Sequence, residues 1–202
     1  MLRVMKYCVD TPNRGWVLKP NRNWNGKSQD IEIELLGEAD SNYATCIDTR
    51  RSVSGIVIRM EGTVIVVKSG MQKIVALSTT EAEAIAIVQC VQELLYVMKL
   101  IESLKLKVRK PMIVYSDNKG AVDLVNGWSI GGGTKHVDCR VMFLRELKEN
   151  GTIRVQWIPS GDNPSDIYTK NVEKETFIKH ARNICGEEII SELGRVIADN
   201  FK

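Results

Sequence analysis

The spacing of apolar residues changes several times along this chain, and those changes limit what it can fold into. Ile31, Ile33 and Leu35 alternate with Glu32 and Glu34, the period of a strand with one face buried. Two further β-rich runs, residues 55–58 and 64–67, are joined through Glu61-Gly62 as a hairpin. Ser78, Thr79 and Thr80 then offer helix caps, with Glu81 and Glu83 at capping-box spacing from Ser78 and Thr80. Behind them Ile87, Val91, Leu94, Met98 and Ile101 recur every three or four residues as one apolar stripe. A short strand is expected over 112–115, and alternation returns at Ile153, Val155 and Trp157. Between these lie a helix from Asn118 stopped by Asn126-Gly127 and another carrying Val137 to Leu147 stopped by Asn150-Gly151. The order is three strands, helix, strand, two helices, strand, helix. It predicts an α/β fold: a mixed five-stranded sheet, its first three strands antiparallel, with helices on its faces.

The flanks are less regular. In residues 1–28, Pro12, Gly15 and Pro20 interrupt scattered apolar positions, so no independent fold is expected there. Beyond Pro164 the chain reads as helical to its end, with a break at Gly186. The expected division is a domain over 29–172 and a helical C-terminal tail over 173–202. A chain of 202 residues with 44% apolar composition has enough material for one core. No run of 18 apolar residues occurs and the N-terminus lacks a secretory pattern, so neither a membrane span nor a signal sequence is expected. Five scattered cysteines without a CxxC pair, and only two histidines, argue against zinc. A net charge of +3 permits nucleic-acid binding without requiring it.

Four acids stand at element ends. Asp40 follows the first strand, Glu83 lies in the first turn of the long helix, Asp117 ends the 112–115 strand, and Asp166 opens the last helical region. Each has a plain alternative: Asp40 as a turn residue, Glu83 and its neighbour Glu81 as helix caps, Asp117 and Asp166 as N-caps. Together they suit the binding of a hard divalent cation, which takes oxygen ligands and relieves the repulsion among converging carboxylates. Of the two glutamates, Glu83 shares the apolar stripe with Ile87 and Val91, whereas Glu81 falls with Ile85, Gln89 and Gln92 on a wetter face. Glu83 is the better ligand, with Glu81 as the other choice.

The words around these acids are specific. Gly37-Glu-Ala-Asp40-Ser-Asn-Tyr-Ala is followed by Asp48-Thr-Arg-Arg-Ser-Val-Ser-Gly55, then by Lys73-Ile-Val-Ala-Leu-Ser-Thr-Thr-Glu81-Ala-Glu83. Val114-Tyr-Ser-Asp117-Asn-Lys-Gly-Ala, Thr134-Lys-His136-Val-Asp138, Trp157-Ile-Pro-Ser and Pro164-Ser-Asp166-Ile-Tyr-Thr-Lys170 come after. In order and spacing this series resembles the ribonuclease H domain of copia-type retrotransposon Pol polyproteins, over residues 31–172. The resemblance implies a ribonuclease H-like fold and an endoribonuclease that cuts the RNA strand of RNA–DNA hybrids, leaving a 3′-hydroxyl. It implies two Mg²⁺ or Mn²⁺ ions held by Asp40, Glu83, Asp117 and Asp166. It also makes residues 1–28 a remnant of the preceding reverse transcriptase, the portion of the polyprotein expected as a partner. The implied life cycle places the chain in cytoplasmic virus-like particles, with the nucleus as a second location.

Around that centre, Ser78, Thr80 and Asn118 are candidates for contacts to the hybrid backbone, and Arg50 and Lys135 for contacts to phosphate. Helix capping and solvated surface charge are their ordinary roles. His136 stands either as a proton-transfer or phosphate-binding group beside the acids, or as a structural histidine at a helix start. Two departures from the family pattern, Asn42 and the glycine run, motivate an alternative, a catalytically inactive domain that binds nucleic acid or packs on the reverse transcriptase; a third, Tyr43, is mild. Asn42 stands where many relatives have aspartate, Tyr43 where tryptophan is commoner, and Gly131-Gly132-Gly133 where a larger segment is usual.

Overall fold

The computed structural model describes residues 5–6, 9–10, 15–18, 31–127 and 135–185, the first four of the last stretch by backbone alone. Its main sheet is built from β2 (Leu35–Asn42), β3 (Val53–Met60), β4 (Thr63–Met71), β6 (Met112–Ser116) and β7 (Ile153–Trp157), in the order β4-β3-β2-β6-β7. The first three pair antiparallel; β6 and β7 join β2's free edge in parallel. This is the mixed five-stranded sheet expected from the periodicity. A two-residue strand β1 (Glu32–Ile33) pairs in parallel with an equally short β5 (Lys107–Val108), a small second sheet that the sequence did not announce.

The strand that carries Asp40 starts later and runs further than the Ile31-Ile33-Leu35 alternation indicates. Asp40 lies inside β2, paired with Gly55, and does not follow the strand. The positions of β2 that continue the inward series after Leu35 are Gly37 and Ala39. Helix α1 (Thr79–Ser103) packs so close that a Cβ on Gly37 would stand 2.5 Å from Cys90 Sγ and 3.0 Å from Leu94. Small residues are needed at this approach, and small residues erase the apolar alternation from which a strand is read.

Helices α1, α2 (Lys119–Asn126) and α3 (Lys135–Glu149) cover one face of the sheet. The stripe Ile87, Val91, Leu94, Met98 and Ile101 is buried there against Leu35, Ile58, Met112, Val114, Ile153 and Val155. Helix α1 is 25 residues long and apolar enough to meet the length and composition of a membrane span. That apolar content is accounted for by core burial, since 14 of its residues are buried in this fold. After the exposed Thr79 and half-buried Thr80, residues Glu81 through Val88 are buried without a gap, so the single-stripe pattern fails there. The expectation that Glu81 faces water is therefore corrected: Ile85, its neighbour one turn on, packs with Ala76 and Ala82 in a separate apolar cluster.

The opposite face is covered by two 3₁₀ turns, Ser160–Asp162 and Pro164–Tyr168, and by α4 (Lys174–Cys185). Ile184 of α4 closes over Val57 and Val64. Asp166 belongs to the second 3₁₀ turn and does not open the last helix, another correction. Asn163 caps that turn through Ser165 and donates its side-chain amide to the Ala39 carbonyl at 3.0 Å, which stitches the turn to β2 before α4 begins. Residues beyond Cys185, including the break expected at Gly186, lie outside the described residues.

Candidate metal centre

Each acid reaches the site from a different element. Asp40 comes from inside β2 and is 2% exposed; Glu83 comes from the first turns of α1 and is 6% exposed; Asp117 follows β6 and is half-buried. Oxygens from these three carboxylates all lie within 4.8 Å of one another. The parallel pairing of β2 with β6 brings Asp40 and Asp117 to the same end of adjacent strands, the edge where functional groups collect in open α/β sheets. Asp166, also buried, is not one of this group: from the 3₁₀ turn it is ion-paired at 2.9 Å to Lys170, whose ammonium lies 3.9 Å from Asp40.

Backbone and hydroxyl donors fix the carboxylates. The Ser41 N–H donates to Glu83 Oε1 at 3.1 Å. The Thr169 hydroxyl donates to Asp40 Oδ2. The Ser160 hydroxyl donates to Asp117 Oδ2, and the Trp157 indole N–H holds the Asp117 carbonyl at 2.8 Å. Two carboxylate oxygens among the described residues remain buried with no hydrogen-bond partner, Glu83 Oε2 and Asp166 Oδ1. Buried unpaired carboxylate oxygens are costly, and here the first belongs to the crowded group.

The electrostatics reflect that crowding. Burial first, then the charges of Asp40 and Asp117, pushes the Glu83 carboxyl up to about 8. Asp40 is raised chiefly by burial and further by Asp166 and Asp117, against the lowering effects of the Thr169 hydroxyl and Lys170. Asp166 is raised by burial and by Asp117, opposed by Lys170. Acids held in this state accept a cation readily, since a divalent ion stabilises the ionised forms that burial disfavours. The all-oxygen donor set, the unpaired oxygens and the raised acids fit a hard divalent cation such as Mg²⁺ or Mn²⁺.

The two glutamates divide their roles. Glu81 Oε2 accepts from the Leu77 N–H at 2.7 Å, while its own N–H donates to Ser78 Oγ at 3.1 Å, a reciprocal cap on α1. Glu83 is the one whose carboxylate joins Asp40 and Asp117. Ser78 therefore serves as the cap. Thr80 lies beside α2, where a Cβ on Gly120 would meet its Oγ1 at 3.3 Å. Asn118 caps α2 by accepting from the Ala121 N–H at 2.9 Å. Thr80 and Asn118 thus meet at Gly120, with Asn118 engaged in capping. Arg50 sits on an exposed turn with a left-handed backbone, φ 55°, and makes no ion pair with the four acids. Lys135 and His136 begin α3, and their side chains lie outside the described residues, as does the Gly131–Gly133 run.

Sequence reasoning passed over Lys170, Thr169, Ser160 and the Ser41 N–H. The i,i+4 spacing of Asp166 and Lys170 was a usable signal; the others depend on long-range packing. Asn42, read as a missing aspartate, has a positive role: its side-chain amide donates to the Thr169 carbonyl at 3.2 Å, which an aspartate cannot do.

No protein-family profile matches the chain. Over 143 residues it is 36% identical to the retrovirus-related Pol polyprotein from transposon TNT 1-94 of Nicotiana tabacum, covering 71% of this chain and 11% of that polyprotein. Over 182 residues it is 26% identical to the Pol polyprotein from transposon RE1 of Arabidopsis thaliana, covering 90% of this chain and 12% of that one. The chain thus spans 11–12% of the length of these relatives. Among solved structures, an N-terminal RNase H domain from Mycobacterium tuberculosis matches with a TM-score of 0.50 at 14% identity, over 75% of this chain and 98% of that domain. At that identity the likeness concerns the fold. These findings bear out the resemblance drawn from the motifs: the chain is similar to a segment of the retrovirus-related Pol polyproteins of plant transposons and carries the ribonuclease H fold.

Proposed function

We propose that this chain is the ribonuclease H domain of a copia-type Pol polyprotein and hydrolyses the RNA strand of RNA–DNA hybrids made during reverse transcription. The observation that carries the reading is the convergence of Asp40, Glu83 and Asp117 at one end of the sheet, with Asp166 linked to Asp40 through Lys170. Asp40, Glu83 and Asp117 would hold one divalent ion, and Asp166 with Asp40 a second. Bound there, the ions would supply activation of water for attack on a phosphodiester and stabilisation of the leaving oxygen. The protein's own groups prepare the site. The Ser41 N–H and the Thr169 and Ser160 hydroxyls keep Glu83, Asp40 and Asp117 aimed at one point, so little reorganisation is left for the reaction. Thr80 and Asn118 would contact the hybrid backbone, since recognition by shape and 2′-hydroxyls suits such polar groups. The reverse transcriptase portion of the polyprotein is the expected neighbour, and cytoplasmic particles, with the nucleus second, the expected place of action.

The test is cleavage of the labelled RNA strand in a hybrid duplex with Mg²⁺ or Mn²⁺. The parent is expected to cut, with Asp117→Asn lowering the rate at least about a hundredfold, the scale of losing one preorganised electrostatic group. A folded parent that cuts nothing with either ion would overturn the proposal in favour of an inactive binding domain.

A further inference from the structure

Lys170 stands at the junction between the three-acid group and Asp166. Its ammonium is 2.9 Å from Asp166 Oδ2 and 3.9 Å from Asp40 Oδ2. The Lys170 N–H donates to the Asp166 carbonyl at 3.1 Å, so the turn itself keeps the lysine beside its acid. Asp166 Oδ1 is buried and has no hydrogen-bond partner, although Oδ2 is satisfied. The lysine side chain is 40% exposed, whereas the Asp40 and Asp166 side chains are 2% and 8% exposed. One charge can therefore leave the site toward water and the other two cannot.

We infer that Lys170 is the resident counter-cation of the Asp40–Asp166 half of the site, and that a second divalent ion binds there only by displacing it. The inference rests on the metal-dependent reading above and deepens it by making the two positions unequal. Asp40, Glu83 and Asp117 offer a first ion a group with no cation paired to Glu83 or Asp117 among the described residues. At Asp166 an incoming ion meets an ammonium that already holds Oδ2. The two cations repel each other and compete for the same lone pairs. A compact ammonium on a flexible four-carbon stem can withdraw into solvent without unfolding the turn. Lys170 thereby makes occupancy of the second position conditional, and keeps Asp166 neutralised while only the first ion is bound.

The experiment titrates Mn²⁺ into the full chain by calorimetry, with electron paramagnetic resonance to count bound ions. The variants are Lys170→Met, which keeps the stem without the charge, Lys170→Arg, which keeps the charge, and Asp117→Asn. The parent is expected to bind one Mn²⁺ and a second at least about tenfold more weakly. Lys170→Met should tighten the second by about tenfold or more while leaving the first within about twofold, and Lys170→Arg should behave as the parent. A second ion that binds Lys170→Met no more tightly than the parent overturns the displacement role. First-ion binding that Asp117→Asn abolishes would at the same time uphold the metal site, so the two failures are separable. A parent that binds no Mn²⁺ overturns both.

Discussion

Gly55 stands directly across the β2–β3 ladder from Asp40, and the space left by its missing side chain is occupied by Ser165 and Thr169. A Cβ there would lie 2.6 Å from the Ser165 carbonyl oxygen and 2.7 Å from Thr169 Cγ2. The 3₁₀ turn bearing Asp166 can lie on the sheet only because β3 has a glycine at this rung. Gly55→Ala is therefore expected to lift the turn, break the Thr169–Asp40 hydrogen bond and lower stability by about 1–3 kcal/mol, the usual range for overpacking. Urea denaturation with and without Mg²⁺ checks this. A variant that keeps the parent's metal response would show that close seating of the turn is dispensable.

The two buried glutamates of α1 should separate cleanly. Glu81→Ala removes half of the reciprocal cap with Ser78 and Leu77 and should cost about 1 kcal/mol of stability while leaving Mg²⁺ binding intact. Glu83→Gln keeps the side chain's size, removes one charge from the crowded group and should abolish most of the Mg²⁺-dependent rise in melting temperature. If the two variants exchange these behaviours, the ligand is Glu81.

Much of this architecture could be read in advance, and the gaps have physical causes. The stripe from Ile87 to Ile101 and the stops at Gly127 and Gly151, both with positive φ, follow from local rules. Asp40, Glu83 and Asp117, the three acids that converge, are legible because they sit inside recognisable words. Asp40 was placed just outside its strand because Gly37 and Ala39 pack under α1 and carry little apolar signal. Periodicity puts Glu81 on a wet face because it does not show that residues Glu81 to Val88 are all buried. Asp166 reads as the start of a helix because a capped 3₁₀ turn and a helix start share the same residues, Asn163-Pro164-Ser165. Thr169, Ser160 and Ser41 reach their acids across the fold, and no sequence period encodes such contacts. Residues 174–185 read as part of a simple helical tail, yet they pack on the sheet through Ile184.

That packing carries its own prediction. Arg59, buried in β3, pairs with Glu38 at 3.0 Å and donates to Asn183 of α4 and to the Gly62 carbonyl at 3.2 Å. Replacing one member of a buried pair strands the other charge in a poorly solvated place. Arg59→Met is expected to destabilise the protein by about 3–5 kcal/mol. The double variant Arg59→Met with Glu38→Leu should recover a large part of that loss, because no charge is then left unpaired. Equal losses in the single and double variants, measured by denaturant unfolding, would show that the contact to α4 matters more than the pair.

The crowded acids predict an unusual dependence on pH. Glu83 is raised from its ordinary 4.5 to about 8, and Asp40, Asp166 and Glu38 are raised as well, each chiefly by burial. An acid whose folded pKa lies above its unfolded value binds more protons in the folded state. Its contribution is fully present below the unfolded pKa and is lost as pH rises through the folded one. Metal-free protein is thus expected to be most stable near about pH 5 and to lose stability steadily toward about pH 8. Saturating Mg²⁺ should reverse the trend, because an ion binds the deprotonated carboxylates and its binding releases protons. Glu83→Gln should flatten the metal-free decline by removing one of the titrating groups. Melting temperatures across this range, with and without Mg²⁺, decide the matter. If the metal-free parent is as stable at the alkaline end as at the acid end, the carboxylates are not held together by protons when the cation is absent.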